Sequence, residues 1–381
     1  MFEYFIANFD DVYENLKFGQ SDRLMDYQEL ELNGLNIDQM LYNLNQLIEQ
    51  IDTLLNSNNK KHFFLQLIQS QLKDLIIVLQ KMTNKDLDII RWITFTKHSQ
   101  LNSFKINILE SDFKKFIKET LFKNYKSFLM CSATYTINNS FDYFFTKIPL
   151  KCDENINVKT NIYKSPFLYS EQAKYYFFNK SIDINSSDYI NEVASQISKI
   201  NKSLQKKVLV LCTSYKQVNA ISNSLFNNHS IDKNEILIQT SKFSKKKLLE
   251  RYIASKSSIL VATSTFWEGV DLPGDLLEIL FILRIPFGNP SNPYNLHFSN
   301  QIESYGGNSF YDMQLPESIL KLKQGVGRLI RSDKDSGVCI LTDPRLSNSR
   351  YGKYIIDELT SNPEFYSHID EIFNDIDNFL G

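Results

Sequence analysis

The chain turns on Leu320-Lys321-Leu322-Lys323-Gln324-Gly325-Val326-Gly327-Arg328-Leu329-Ile330-Arg331. Continued as one helix, this stretch puts Gln324, Arg328 and Arg331 at i, i+4 and i+7, on a single face. Leu322, Val326, Leu329 and Ile330 then fall on the other side, where they anchor the helix to a core. Glycine inside a helix costs about 1 kcal/mol against alanine, and this stretch carries both Gly325 and Gly327. Such a cost is tolerated where something approaches the backbone closely. Two guanidiniums and an amide on one rigid face suit a phosphoryl group whose charge must be stabilised as it leaves. A lone R-x-x-R is by default a solvated surface pair; the company it keeps here reverses that reading.

Working outward, apolar runs at 207–212, 235–239, 258–262, 278–283 and 337–341 read as strands. Helical periodicity fills the intervals at 188–204, 217–226 and 245–254. Strands apolar on both flanks, separated by helices, predict a parallel sheet covered on both faces. The expected fold class is therefore α/β, with this sheet domain running from residue 151 to 381. Three strands end in hydroxyl or acidic residues: Thr213-Ser214-Tyr215, Thr263-Ser264-Thr265 and Thr342-Asp343.

Upstream the texture changes. Apolar residues at three-four spacing over 37–55 and again over 63–79, split by Asn56-Ser57-Asn58-Asn59, predict an antiparallel helical hairpin within residues 1–85. It carries no acid–histidine cluster, so a structural or lever role is expected. Residues 86–150 form a third segment, with strands predicted at 89–95 and 104–109 and a helix capped by Ser111 and running to about 122. Ser127-Phe128-Leu129-Met130-Cys131 reads as a short buried strand that delivers Ser132-Ala133-Thr134.

Composition narrows the function classes. With 43% hydrophobic and 23% charged residues, the chain matches soluble globular proteins. A net charge of −2 argues against blanket affinity for nucleic acid, so any such site must be a local groove. Cys131, Cys152, Cys212 and Cys339 form no C-x-x-C pair, which disfavours zinc and iron–sulfur sites within the chain. Three of them lie in apolar runs and are expected to be buried hydrophobes in a reducing cytoplasm. The scattered histidines support no metal site or catalytic triad, Met1-Phe2-Glu3-Tyr4 lacks a cationic signal region, and no apolar run reaches membrane-spanning length.

The strand-end hydroxyls Thr213, Ser214, Thr263, Ser264 and Thr265 suit the phosphates of a nucleic-acid backbone. Capping of the next helix is the plainer alternative. Between Phe266 and Gly274, Gly269 permits unusual backbone, while Glu268 and Asp271 could orient the arginines or bond a ribose hydroxyl. Lys242 and Lys245-Lys246-Lys247 could touch phosphate, although a charged run is more often solvated.

At this point the residues resemble a known family. Ser132-Ala133-Thr134, Val210-Leu211-Cys212-Thr213-Ser214, Ala262 through Gly274, and Gln324 through Arg331 resemble motifs III, IV, V and VI of superfamily 2 helicases. The likeness is to the XPD-like branch, and within it to DinG-type ATP-dependent DNA helicases. Ser165-Pro166-Phe167, Arg284-Ile285-Pro286-Phe287 and Leu315-Pro316 share it, so it covers about residues 86–360. The resemblance implies that the sheet domain is the RecA-like second motor domain, and that 86–150 is the tail of the first. The hairpin takes the place of an arch insertion. Arg328 and Arg331 would be arginine fingers with Gln324 assisting, and Gly269 and Asp271 would line the nucleotide. Thr213, Ser214, Thr263 and Thr265 would grip single-stranded DNA, while Ser132 and Thr134 would couple the two ligands.

The chain departs from the family in one respect. A phosphate-cradling loop needs G-x-x-x-x-G-K-[ST], and before Gly269 there are only Gly19 and Gly34, neither of which begins it. No acidic magnesium box appears either. The expectation is a C-terminal half of such a helicase, from a split or truncated gene, inactive as an ATPase alone. ATP and Mg²⁺ would be held mainly by the missing first motor domain, and the expected partners are single-stranded DNA and a separate polypeptide carrying the P-loop half. A non-enzymatic module that binds nucleic acid or a partner is the alternative.

Overall fold

The computed structural model describes residues 22–24, 36–57, 63–83, 89–97, 102–110, 115, 117–148, 150, 156–229, 231–232, 234–240, 244–256, 258–263, 266, 272 and 274–381. The chain forms two compact units, one from residues 1–128 with 289–309 and the other from 129–288 with 310–381. Residues 129–150 cluster with the second unit, and 289–309 with the first.

In the first unit, β1 (Asp22–Leu24) is followed by helices α1 (Ile37–Ser57) and α2 (Phe63–Thr83), as the periodicity predicts. The two helices lie side by side, and Gln69 Nε2 donates to Asp52 Oδ1, a pairing expected of an antiparallel hairpin. Ile48 and Ile51 from α1, and Ile76, Leu79 and Met82 from α2, are buried. β2 (Ile89–Lys97) and β3 (Asn102–Glu110) form an antiparallel pair, and β1 adds to β2. The helix expected from Ser111 begins outside the described residues and closes as a π-helical turn over Lys118–Phe122.

The expected strand at Ser127–Cys131 does not form. Leu129 is 92% exposed and Cys131 is also exposed, so neither the strand nor its buried cysteine survives. An apolar run becomes a strand only when neighbours take its N–H and C=O groups, and among the described residues none pairs with it.

The second unit opens with a short helix, α3 (Asp142–Lys147), and then builds a seven-stranded sheet. In chain order its elements are β4 (Ala173–Phe178), α4 (Ser187–Leu204), β5 (Val208–Cys212), α5 (Tyr215–His229), β6 (Ile236–Ile238), α6 (Lys245–Ala254), β7 (Ile259–Thr263) and β8 (Ile279–Ile282). Helix α7 (Pro293–Ser304) belongs to the first unit. Then come α8 (Leu315–Val326), β9 (Gly337–Leu341), α9 (Arg350–Leu359), β10 (Pro363–Tyr366) and α10 (Asp370–Leu380). The order across the sheet is β10-β4-β9-β8-β5-β7-β6, and every pairing is parallel.

Alternation explains the layering. Leu209, Leu211, Leu260, Ala262, Leu280, Ile282, Cys339 and Leu341 enter one core with α6, α8 and α9. Their neighbours Val208, Val210, Ile259, Val261, Ile279, Phe281, Val338 and Ile340 enter the other with α4, α5 and α10. Both faces are covered, so the strands read as continuous apolar runs. β10 was illegible because three of its four residues are exposed at the sheet edge. Among the described residues no helix is long and apolar enough to cross a membrane.

Candidate functional site

The arginine stretch is only partly helical. Helix α8 ends at Val326, so Gln324 is helical, while Arg328 and Arg331 lie on the turn that follows. Arg328 N–H reaches Gly325 O (3.2 Å) and Leu329 N–H reaches Val326 O (3.0 Å), tightening the last turn to the i→i−3 pattern. A Cβ on Gly327 would stand 2.9 Å from the Lys323 carbonyl oxygen. What approaches closely there is the preceding turn of the same helix. Leu322, Val326, Leu329 and Ile330 are buried as expected, so the core anchoring stands although the shared face at i, i+4 and i+7 does not.

Asp335 competes for the N–H groups that would have continued the helix. Its Oδ2 accepts from Arg331 N (2.8 Å) and Ser332 N (3.0 Å), and its Oδ1 accepts from the Ser332 hydroxyl (2.7 Å). Burial alone would raise the Asp335 pKa. The Ser332 hydroxyl and the backbone N–H groups of Arg331, Ser332 and Gly274 outweigh it and hold the carboxyl below its usual range. Because its folded-state pKa lies below the unfolded one, this carboxylate's stabilisation is complete above about pH 4 and is lost as pH falls through the lowered folded value. The gap in melting temperature between the wild type and Asp335→Asn should therefore be widest at neutral pH and narrow under acid. A gap that stays constant with pH would show that the anion is not what holds this turn.

Gln324 has a partner that ties two distant motifs together. Its Nε2 donates to Thr134 Oγ1 (3.2 Å), and Thr134 N–H donates to Ser132 Oγ (3.1 Å). The segment behind Thr134 is clamped to the same helix. Lys323 Nζ pairs with Glu358 Oε2 (2.8 Å) and reaches Thr136 O (3.1 Å), while Asn138 N–H donates to Glu358 Oε1 (2.5 Å). Farther along, Lys147 Nζ pairs with Glu317 (2.9 Å), which also accepts from Tyr143 OH (3.2 Å). Ser132 and Thr134 are thus tied to the helix that carries Gln324 by part-buried ion pairs.

The strand-end hydroxyls form a matched pair. Thr213 gives both its N–H (2.9 Å) and its hydroxyl (2.8 Å) to Gln217 Oε1. Thr263, beside it in register with Cys212, gives the same two groups to Gln239 Oε1 (2.7 and 2.9 Å). Ser214 is exposed and accepts from Gln217 N–H (3.3 Å), the capping role weighed above. Ser264, Thr265, Glu268, Gly269 and Asp271 lie outside the described residues, as do Lys242 and Cys152.

The sheet sets how far apart these groups stand. Thr213 and Thr263 close the C-terminal ends of their strands, whereas the Arg331–Asp335 turn precedes the N-terminal end of β9. Four residues of register separate Val338, near the start of β9, from the Cys212–Thr263 level, about 13 Å at the rise of a strand.

One pair escaped sequence reading. Asp343, 1% exposed at the end of β9, accepts from Ile285 N–H (2.9 Å) and Arg345 N–H (3.0 Å). The Arg345 guanidinium adds Nε (2.9 Å) and Nη2 (2.6 Å) bonds and lies over the Phe287 ring. A D-x-R spacing was the available signal, but without the fold nothing marks that aspartate as buried.

Residues 197–362 match the helicase C-terminal domain family. The chain is 31% identical over 333 residues to the 3'-5' exonuclease DinG of Bacillus subtilis, covering 84% of this chain and 35% of that protein. It is 34% identical over 233 residues to the ATP-dependent DNA helicase YoaA of Haemophilus influenzae, covering 61% and 35%. With the ATP-dependent DNA helicase DinG of Photobacterium profundum it shares 31% over 300 residues, covering 78% and 43%. The chain carries a helicase C-terminal domain and is similar to DinG-type proteins.

It spans about a third of the length of the first curated relatives it matches. Two solved XPD structures share the fold: an apo form (TM-score 0.54, 16% identity, 94% of this chain and 76% of that one) and a helicase form (0.51, 14%, 94% and 67%). The parallel sheet is accordingly a RecA-like α/β domain. Among the described residues, Val210 to Ser214 and Ala262-Thr263 lie at strand ends, Gln324 to Arg331 at the end of α8, and Ser132 to Thr134 on an exposed turn.

Proposed function

We propose that this chain supplies the second motor half of an ATP-dependent DNA helicase that couples ATP hydrolysis to movement along single-stranded DNA. The observation that carries the reading is the Gln324–Thr134 hydrogen bond, which joins the arginine stretch of the matched helicase C-terminal domain to the Ser132–Thr134 segment upstream of it. Arg328 and Arg331 face the terminal phosphate of the nucleotide, with Gln324 between them and the coupling residues Ser132 and Thr134. Glu268, Gly269 and Asp271 line the nucleotide. Thr213, Ser214, Thr263, Ser264 and Thr265 hold the DNA backbone, the two threonines through the glutamines that already order them.

The residues present suit the guanidinium side of an ATP site, because the Arg331–Asp335 turn is pinned by the Asp335 carboxylate and by Gln172, whose Nε2 donates to Ser332 O (2.8 Å) and Asp335 O (2.9 Å). They include no G-x-x-x-x-G-K-[ST] cradle and no acidic box. On this reading both ATP and Mg²⁺ are held by a separate polypeptide segment, and this chain alone turns over no ATP. Magnesium, when bound there, neutralises charge on the β- and γ-phosphates.

Fluorescence anisotropy with a labelled single-stranded oligonucleotide tests the grip. If four phosphates are held, affinity should fall about 50-fold between 50 and 200 mM salt. Binding that ignores salt, or no binding at low salt, removes the DNA half of the proposal. ATP turnover by the isolated chain that disappears with Arg328→Ala would overturn the other half.

A further inference from the structure

We infer that Tyr215 is a base-stacking residue of the single-strand site, so that the chain holds nucleobases as well as phosphates; the inference rests on the DNA reading above. Tyr215 opens α5 immediately after Thr213 and Ser214, at the C-terminal ends of β5 and β7. Its side chain is 52% exposed, although a phenol ring is an apolar surface that folding tends to cover.

The exposed ring is tethered. Gln239 Nε2 donates to the Tyr215 hydroxyl (3.2 Å), while the Oε1 of the same amide takes both the N–H and the hydroxyl of Thr263. One glutamine therefore sets the ring and orders the neighbouring strand end together. A ring held in place and left open to solvent is a preformed platform, because the ordering cost of the ring is already met before a ligand arrives.

A second observation lies at the same strand ends. Gln217 is 5% exposed, and its Oε1 takes the N–H and hydroxyl of Thr213. Its Nε2 is buried with no hydrogen-bond partner among the described residues. An unpaired buried donor is costly, and here it stands behind the ordered strand end that carries the ring. The cluster thus offers the exposed Ser214 hydroxyl, which accepts from Gln217 N–H, and an open π-face within one turn of chain. That set fits one nucleotide unit of a single strand: phosphate on the Ser214 side, base on the ring. Because every base has a π-face, such a platform is tolerant of sequence.

The test compares two ligands of equal length, an oligothymidylate of about 12 nucleotides and an abasic strand with the same sugar-phosphate backbone. Tyr215→Ala should weaken oligothymidylate binding about 5- to 100-fold and leave abasic binding unchanged. Tyr215→Phe, which keeps the ring and drops the tether, should retain most of the affinity. Tyr215→Trp should bind with its fluorescence quenched by the stacked base. Equal binding of oligothymidylate by the wild type and Tyr215→Ala, or an equal loss on the abasic strand, overturns the stacking role while leaving the phosphate grip intact. If the wild type binds neither strand at low salt, the DNA reading falls and takes this inference with it. A thermal melt of each variant separates lost binding from lost folding, since a half-exposed ring contributes little to the core.

Discussion

Replacing Arg331 with alanine is expected to lower ATP turnover about a thousandfold when the chain is combined with a polypeptide that carries a G-x-x-x-x-G-K-[ST] loop. An arginine that meets the transferring phosphoryl group stabilises charge that exists only in the transition state, so its removal should lower kcat and leave KM nearly unchanged. Arg331→Lys should rescue little, because a point charge cannot reproduce the planar fork. Arg328→Ala should behave alike. The double substitution should cost less than the product of the two, because both guanidiniums serve one phosphate. Asp335 fixes the backbone of Arg331, whereas Arg328 is held by the end of α8, so a change at Asp335 should mimic Arg331→Ala more closely than Arg328→Ala. Turnover in the mixture that is unaffected by either arginine would end the motor reading.

Arg345→Ala should destabilise the sheet unit by about 3 kcal/mol, the lower part of the range for breaking a buried ion pair. The removed guanidinium leaves Asp343 buried at 1% exposure with, among the described residues, the Ile285 and Arg345 N–H groups as its donors. Those two bonds, and the partial exposure of Arg345 itself (35% of its side chain), hold the loss below the top of that range. Asp343→Asn combined with Arg345→Ala should recover part of it, since a neutral amide is far cheaper to bury. Urea midpoints of the three variants measure this directly. An Arg345→Ala midpoint indistinguishable from wild type would mean that the pair contributes nothing net.

The strand and helix pattern of residues 188–283 and the helical hairpin at 37–79 were readable because each depends on local periodicity. Val208 to Cys212 is apolar throughout, and a run that buries both faces can only lie in a covered parallel sheet. Ser127–Cys131 carries the same kind of signal and fails, because strand formation requires partners that no periodicity supplies. The end of α8 was misread for a related reason. Leu329 and Ile330 keep the helical spacing and the burial, yet the Arg331 and Ser332 N–H groups go to Asp335 instead of to carbonyls one turn back. The seat of Thr263 on Gln239, across 24 residues, lay equally beyond local pattern.

The amino-acid sequence by itself determined that this is a two-sided parallel sheet bearing helicase motifs, and that the chain lacks a phosphate cradle. Burial periodicity and glycine spacing are properties of neighbouring residues and survive without coordinates. Only the tertiary structure decided that Gln324 meets Thr134, that Asp343 is a buried anion, and that the arginine turn and the strand-end hydroxyls occupy opposite ends of the strands. Each of those depends on competition for hydrogen bonds between residues far apart in the chain, and the winner is set by which groups the packed sheet brings within reach.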